Sequence, residues 1–329
     1  MSYTVLRMSY AELALDARGL TKTYRGTTVL AEVDLRVERG TVFALLGPNG
    51  AGKTTTVRIL ATLTDADAGT AHVAGFDVRR DRREVRRRIS LTGQFAAVDD
   101  GQTGRENLVM IGRLAGLGRT QARCQAEGLL ERFDLVEAGR RRVGTYSGGM
   151  RRRLDLAAGL LGEPEVVFLD EPTTGLDPRA RQETWAAVAD LARSGTTVLL
   201  TTQYLEEADR LAGRIAVLDG GRIVAEGSAD ELKSRVGEQR IDLTLTGPET
   251  FHSVLARLGD RAARTDPDRL LIGVPTDGSA AHVRSLLDEV DPGRDAVASF
   301  ALHAATLDDA FLALTGRAGA TDHPETSHV

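Results

Sequence analysis

The chain has 329 residues, 42% hydrophobic and 27% charged, with 42 Lys plus Arg against 47 Asp plus Glu for a formal net charge of -5. Those proportions suit a soluble globular protein of about two domains and exclude a collagen-like, disulfide-stapled or wholly disordered chain. No apolar run reaches the roughly 18 to 20 residues of a spanning helix, the single cysteine, Cys124, rules out a disulfide framework, and the acidic balance argues against nucleic acid as the main partner.

Residues 1–11 read as an N-terminal extension without the basic and apolar succession of a signal peptide, so the chain is expected to remain in the cytoplasm. From Leu13 the segments LALDARG, TTVLAEVDLRV and TVFALL read as strands separated by Gly and charged turns. They run into GPNGAGKT at 47–54, followed by the helical TTTVRILATL. Between Gly101 and Leu161 the pattern is helical with no convincing strand. The apolar run VVFL, a helix around Arg181 to Ala192 and the strand TTVLL follow. Short apolar strands alternating with helices predict an α/β core whose largely parallel sheet is covered on both faces, and GPNGAGKT between one such strand and a helix makes it a P-loop NTPase core. The helical stretch at about 101–161 reads as a subdomain inserted into that core. Near 234–240 the pattern restarts, and 240–316 predicts a small α+β unit similar to the ferredoxin-like arrangement. Its last helix, TLDDAFLALTG, groups Leu307, Phe311 and Leu312 on one face for dimer contacts, coupling to a partner or plain core packing. Residues 317–329 form a polar tail expected to be disordered.

GPNGAGKT has the phosphate-loop spacing and lies between an apolar strand and a helix, where that chemistry needs it. Gly47, Gly50 and Gly52 let the backbone turn so that N–H groups face an anion at a helix N-terminus. Across Gly47, Pro48, Asn49, Gly50, Ala51, Gly52, Lys53, Thr54 and Thr55 the loop would bind a nucleotide, with Lys53 reaching the β- and γ-phosphates and Thr54 ligating magnesium. Only three of the 42 basic residues are lysines, and Lys53 is one of them. VVFLDEP at 166–172 ends an apolar strand in Asp170, placed to hold magnesium through a water, and Glu171, placed to polarise the attacking water. In YSGGMRRRL, Ser147 reads as a helix N-cap, with Gly148 and Gly149 exposing further amides to an anion.

In this order, phosphate loop, SGG helix and LDEP, residues 12–236 resemble the nucleotide-binding subunit of ATP-binding cassette (ABC) transporters. The resemblance implies ATP and Mg2+, and a head-to-tail homodimer in which Ser147 and Gly149 of one copy close over the γ-phosphate held by the other. It also implies that Tyr24 stacks on adenine, that Gln94 begins a loop sensing magnesium and touching the membrane subunit, and that Asp177 couples the dimer halves. Most members carry a histidine where this chain has Gln203. A glutamine amide still donates a hydrogen bond but does not titrate near neutral pH, so Gln203 is expected to be a neutral γ-phosphate sensor beside Glu171.

TGQFAAVDDGQTGRENL, TTQYLEEADRLAGRIAVLDGGRIVAEGS and the late TLDDAFLALTG are similar to the daunorubicin-resistance branch of the ABC exporters. That branch implies a separately encoded transmembrane permease, export of a hydrophobic drug or lipid, and a peripheral place on the cytoplasmic face of the cell membrane. Two other readings stay open. A soluble ABC ATPase acting on DNA or the ribosome is opposed by the single cassette and the lack of sustained heptads between Lys53 and Ser147. A non-hydrolysing regulatory module is opposed by intact Lys53, Asp170 and Glu171.

Overall fold

At Arg25 and Gly26 the backbone takes φ values of 49° and 85°, the left-handed pair that a two-residue hairpin demands. This turn joins the strand Leu13–Tyr24 to the antiparallel strand Thr27–Glu38. The computed structural model describes residues 13–93, 98–235, 240–303 and 306–315, and the chain divides into two compact units, Met1–Ala229 and Asp230–Val329.

In the first unit the hairpin is widened by Ala68–Val73 and the short Phe76–Asp77 into a four-stranded antiparallel sheet. The largely parallel sheet expected from the sequence is the main sheet, and this antiparallel sheet is an addition to it. AGTAHV and FD are too short and too weakly alternating to announce themselves as strands. The main sheet has six strands in the order Arg222–Gly227, Arg214–Asp219, Val42–Leu46, Thr197–Thr202, Val166–Asp170, Ile89–Thr92. All its pairings are parallel except that of the edge strand Arg222–Gly227. Every residue of Val42–Leu46, Val166–Asp170 and Thr197–Thr202 is buried, the continuous apolar pattern of parallel strands covered on both faces. Phe43, Leu45, Phe168, Leu199 and Leu218 share one core with Leu15, Leu30 and Leu35 of the antiparallel sheet. Each such side chain contributes about 1.5–3 kcal/mol on full burial.

The inserted segment is helical, as the sequence led us to expect. Thr103 opens the helix Gly104–Leu114 with a reciprocal capping box to Glu106, Arg119–Arg132 follows, and Ser147 caps Gly148–Gly159. Tyr146 pins the turn between them by donating its hydroxyl to the Ala138 carbonyl at 2.6 Å.

The second unit begins at the head of the helix Ala229–Ser234. The sequence reading ended the first domain after that helix, at 236, ahead of the strand RIDLTLTG where the pattern restarts. Four antiparallel strands follow in the spatial order Arg264–Asp266, Leu271–Pro275, Arg240–Leu245, Val297–His303. With the helices Pro248–Leu258 and Ala280–Val290 between them, the chain order is β-α-β-β-α-β, the split arrangement of ferredoxin-like units. Phe251, Val254, Val283 and Leu286 pack on Ile241, Leu243, Ile272 and Val274 to form its core. The last helix, Leu307–Leu314, buries Leu307 and Ala310, and Leu312 is 44% exposed. The expected grouping of Leu312 with Leu307 is therefore corrected: at 3.6 residues per turn it points well away. The extension 1–11 and the tail 317–329 lie outside the described residues.

Candidate active site

Leu46 pairs with Thr202 and Asp170 with Thr201, so the carboxyl ends of three parallel strands lie side by side, at the edge where α/β sheets bind ligands. From Leu46 the chain enters the glycine loop pressed flat against its neighbours. A Cβ on Gly47 would lie 2.2 Å from the Leu218 carbonyl oxygen. One on Gly52, whose φ is 110°, would lie 2.6 Å from Leu30 Cδ2 and 2.8 Å from the Val29 oxygen. Only glycine fits either place. Pro48 and Thr55 are half-buried, Asn49, Gly50 and Thr54 exposed, and Ala51 buried with its N–H on the Pro48 carbonyl at 3.2 Å.

The helix Lys53–Leu60 starts at Gly52 with no side-chain cap and no acidic residue in its first turn. Thr103, Ser147 and Asp177 all cap their helices with an oxygen. Leading amides left without a side-chain acceptor fit an anionic group such as a polyphosphate.

Lys53 is 4% exposed. Its Nζ donates to the Gly47 carbonyl at 2.7 Å and to the Pro48 carbonyl at 3.1 Å, and lies 3.6 Å from Glu171 Oε1. Burial lowers its pKa below the ordinary lysine value, against the pull of Glu171 and Asp170 in the other direction. A largely buried ammonium whose charged form is disfavoured gains from a further anion.

Asp170 Oδ1 accepts from Thr54 Oγ1 at 3.2 Å and from Thr201 Oγ1 at 2.5 Å. Hydroxyl and carboxylate oxygens gathered in this way fit a hard divalent cation. Glu171 follows with φ 51°, left-handed for a non-glycine residue, a strain of about 1–2 kcal/mol. Its N–H donates to the Thr201 carbonyl and to Thr201 Oγ1, both at 3.1 Å, and Thr174 Oγ1 donates to Glu171 Oε2 at 3.3 Å. Backbone strain of this kind persists only where surroundings over-determine it and clusters at working sites. Thr201, which holds both carboxylate-bearing residues, was missed by sequence reasoning. Nothing in TTVLLTT distinguishes one threonine from the next.

The structure thus brings Lys53, Thr54, Asp170 and Glu171 together. Gln203 follows the strand Thr197–Thr202, half-buried and without a hydrogen bond to the described residues. Ser147 and Asp177 do not join the cluster: each caps a helix, Ser147 accepting from Met150 N–H at 3.2 Å and Asp177 from Ala180 N–H at 2.9 Å. Gly149 lies between those two helices, where a Cβ would come 2.9 Å from Ala180 Cβ, while one on Gly148 would have ordinary contact at 3.9 Å with Leu176. Tyr24 ends its strand 42% exposed, with the Lys22 ammonium 5.3 Å from the ring centroid. Gln94 lies outside the described residues.

A phosphate loop on a parallel sheet that also carries a helical insertion defines an ATP-binding cassette ATPase, and the ABC transporter family model matches residues 30–174. Daunorubicin resistance ATP-binding protein DrrA3 of Streptomyces coeruleorubidus is 51% identical over 306 residues, 93% of this chain and 97% of that protein. Nod factor export ATP-binding protein I of Paraburkholderia xenovorans is 38% identical over 307 residues, 93% of this chain and 98% of that one. Among solved structures, an ATP binding subunit of an ABC transporter superposes with a TM-score of 0.60 at 27% identity, covering 68% of this chain and 92% of its own. The chain belongs to the ABC transporter ATP-binding subunits and, within them, to the family of the daunorubicin-resistance ATP-binding proteins. The DNA- or ribosome-acting and non-hydrolysing readings find no support among these relatives. Among the described residues no helix is long and apolar enough to cross a membrane.

Proposed function

We propose that this ATPase energises export of a hydrophobic drug or lipid through a separately encoded transmembrane subunit, working on the cytoplasmic face of the membrane. The observation that carries the reading is the buried ammonium of Lys53 set 3.6 Å from the carboxylate of a strained Glu171, beside an uncapped helix N-terminus. Amides of the loop Gly47–Thr55 and the Lys53 ammonium bind the β- and γ-phosphates of ATP. Thr54 and Asp170 are the groups to hold magnesium, with Gln94 a third, and the ion supplies neutralising charge to the phosphates. Glu171 accepts the proton of the attacking water as general base. The Gln203 amide donates a hydrogen bond to the γ-phosphate without titrating near neutrality. In a head-to-tail homodimer Ser147, Gly148 and Gly149 of one copy cover the phosphates of the other, Asp177 couples the halves, and Tyr24 stacks on adenine. The relatives' printed roles in daunorubicin resistance and Nod factor export support an exporter.

The test is the full chain reconstituted in vesicles with a co-expressed candidate permease subunit. Magnesium-dependent ATPase and ATP-driven movement of a fluorescent anthracycline, both lost in Glu171→Gln, are expected. Wild-type protein that binds ATP but shows neither activity overturns the proposal.

A further inference from the structure

One helical turn beyond Gln203, the helix Leu205–Leu211 carries Glu207, a carboxylate with no solvent exposure at all. Burying a carboxylate is costly unless it is well partnered, and phosphate chemistry does not call for one here. Its partners come from three separate parts of the nucleotide domain. Oε1 accepts from Thr173 Oγ1 at 3.0 Å and from the Trp185 indole N–H at 3.1 Å. Thr173 sits in the turn leaving Glu171, whose carbonyl accepts from Thr174 N–H while the Thr173 carbonyl accepts from Leu176 N–H. Trp185 lies on the helix Pro178–Arg193 that Asp177 caps. The third part is the helix Gly148–Gly159, where half-buried Arg152 donates to Asp155 Oδ2 and to the Gly93 carbonyl, each at 3.1 Å, and faces Glu207 through charge alone; burial lowers its pKa against the opposing pull of Asp155 and Glu207.

We propose that Glu207 is a positioning residue for ATP hydrolysis, tying the Gln203 segment to the turn that carries Glu171 and to the helix that Asp177 caps. One oxygen shared by two donors from different elements sets the spacing between those elements, so that Gln203 and Glu171 face the same γ-phosphate in register. This inference rests on the roles proposed above for Glu171 and Gln203. Glutamine at 207 keeps the accepting oxygen in place, whereas alanine removes it and leaves Thr173 and Trp185 without an acceptor. Trp185 is the chain's only tryptophan, so its emission reports directly on this junction.

The experiment compares steady-state ATPase of the purified full chain as wild type, Glu207→Ala, Glu207→Gln, Thr173→Val, Trp185→Phe and Glu171→Gln, with Trp185 emission followed on adding magnesium and ATP. Misplacement of catalytic groups lowers kcat about 10- to 100-fold in Glu207→Ala with KM for ATP changed less than about threefold. Glu207→Gln is expected within about threefold of wild type in both, and Thr173→Val and Trp185→Phe intermediate in kcat. Nucleotide changes Trp185 emission in the wild type and in Glu207→Gln but not in Glu207→Ala. Should Glu207→Ala not fold, the two donor-deleting variants decide, since each keeps an apolar side chain of similar size in place. Wild-type kcat in both of them, or a Glu207→Gln loss as deep as that of alanine, overturns the inference. If Glu171→Gln hydrolyses at the wild-type rate, the reading of the active site fails instead.

Discussion

Thr201 donates its hydroxyl to Asp170 Oδ1 at 2.5 Å and, through the same oxygen, accepts the N–H of Glu171 at 3.1 Å. Parallel pairing of Val166–Asp170 with Thr197–Thr202 places Asp170 opposite Thr201, so one hydroxyl orients the Asp170 carboxylate and holds the next residue in its left-handed conformation. Thr201→Val removes both bonds at nearly unchanged volume. Loss of about 1–3 kcal/mol in urea unfolding is expected, as for a buried partner left unsatisfied. Serine at the same position keeps the hydroxyl and restores most of that stability and of the ATPase rate.

The roles proposed for Glu171 and Lys53 predict that variants of the two separate binding from turnover. Glu171→Gln leaves the glycine loop and Lys53 intact but cannot take a proton from water. ATP affinity measured by filter binding is therefore expected near wild type, with kcat lowered about 10²-fold or more. Lys53→Ala removes the ammonium that the loop carbonyls hold, and both affinity and kcat fall. A Lys53→Ala protein that binds ATP normally contradicts this division of labour.

Gly149 has a packing role inside a single chain. Its alanine variant brings Cβ to 2.9 Å from Ala180 Cβ, closer than side chains pack, and overpacking of this kind costs about 1–3 kcal/mol. Thermal unfolding of Gly149→Ala, Ala180→Gly and the double variant separates the two roles. The double variant recovers stability because the methyl group has only moved from one helix to the other. If ATPase remains low in that stable double variant, Gly149 also serves the facing copy's phosphates.

Glu207 gives the nucleotide domain a pH signature. Burial raises its pKa above the ordinary glutamate value, outweighing the hydrogen bonds from Thr173 and Trp185 and the charge of Arg181, which lower it. For an acid whose folded pKa is raised, the unfolded chain loses the proton first. The group's contribution to stability is greatest below 4.5 and is lost as pH climbs through the folded value. Glu207→Gln carries no such ionisation, so its melting temperature relative to wild type is expected to be higher at about pH 8 than at about pH 5. An offset that is the same at both pH values contradicts the shift.

The elements legible beforehand are those written in contiguous residues. GPNGAGKT, VVFLDEP and the SGG helix could be placed because strand, turn and helix signals stand next to the chemistry they position. The sheet built on Ala68–Val73 was not legible: its strands depend on pairing with Leu13–Tyr24 rather than on their own pattern. Leu312 looked like part of an apolar face because leucine spacing was read without the helix phase that the fold sets. Ser147 was legible as a helix N-cap and is one, whereas Asp177 was read only for coupling to a facing copy, and the fold adds that it caps a helix of its own chain.

By itself the sequence determined the class of ligand, since a phosphate cradle is made by neighbouring backbone amides, a helix N-terminus and one lysine, all within a single loop. Tertiary structure alone decided how that loop is put to work. The grip of Thr201 on Asp170 and Glu171, the pairing of Lys53 with Glu171, and the junction of Glu207 with Thr173 and Trp185 each join residues from different strands and helices. No local pattern encodes them, and in EEAD the buried glutamate reads like any solvated helix charge. Only packing that excludes water makes one carboxylate a structural junction and leaves its neighbours on the surface.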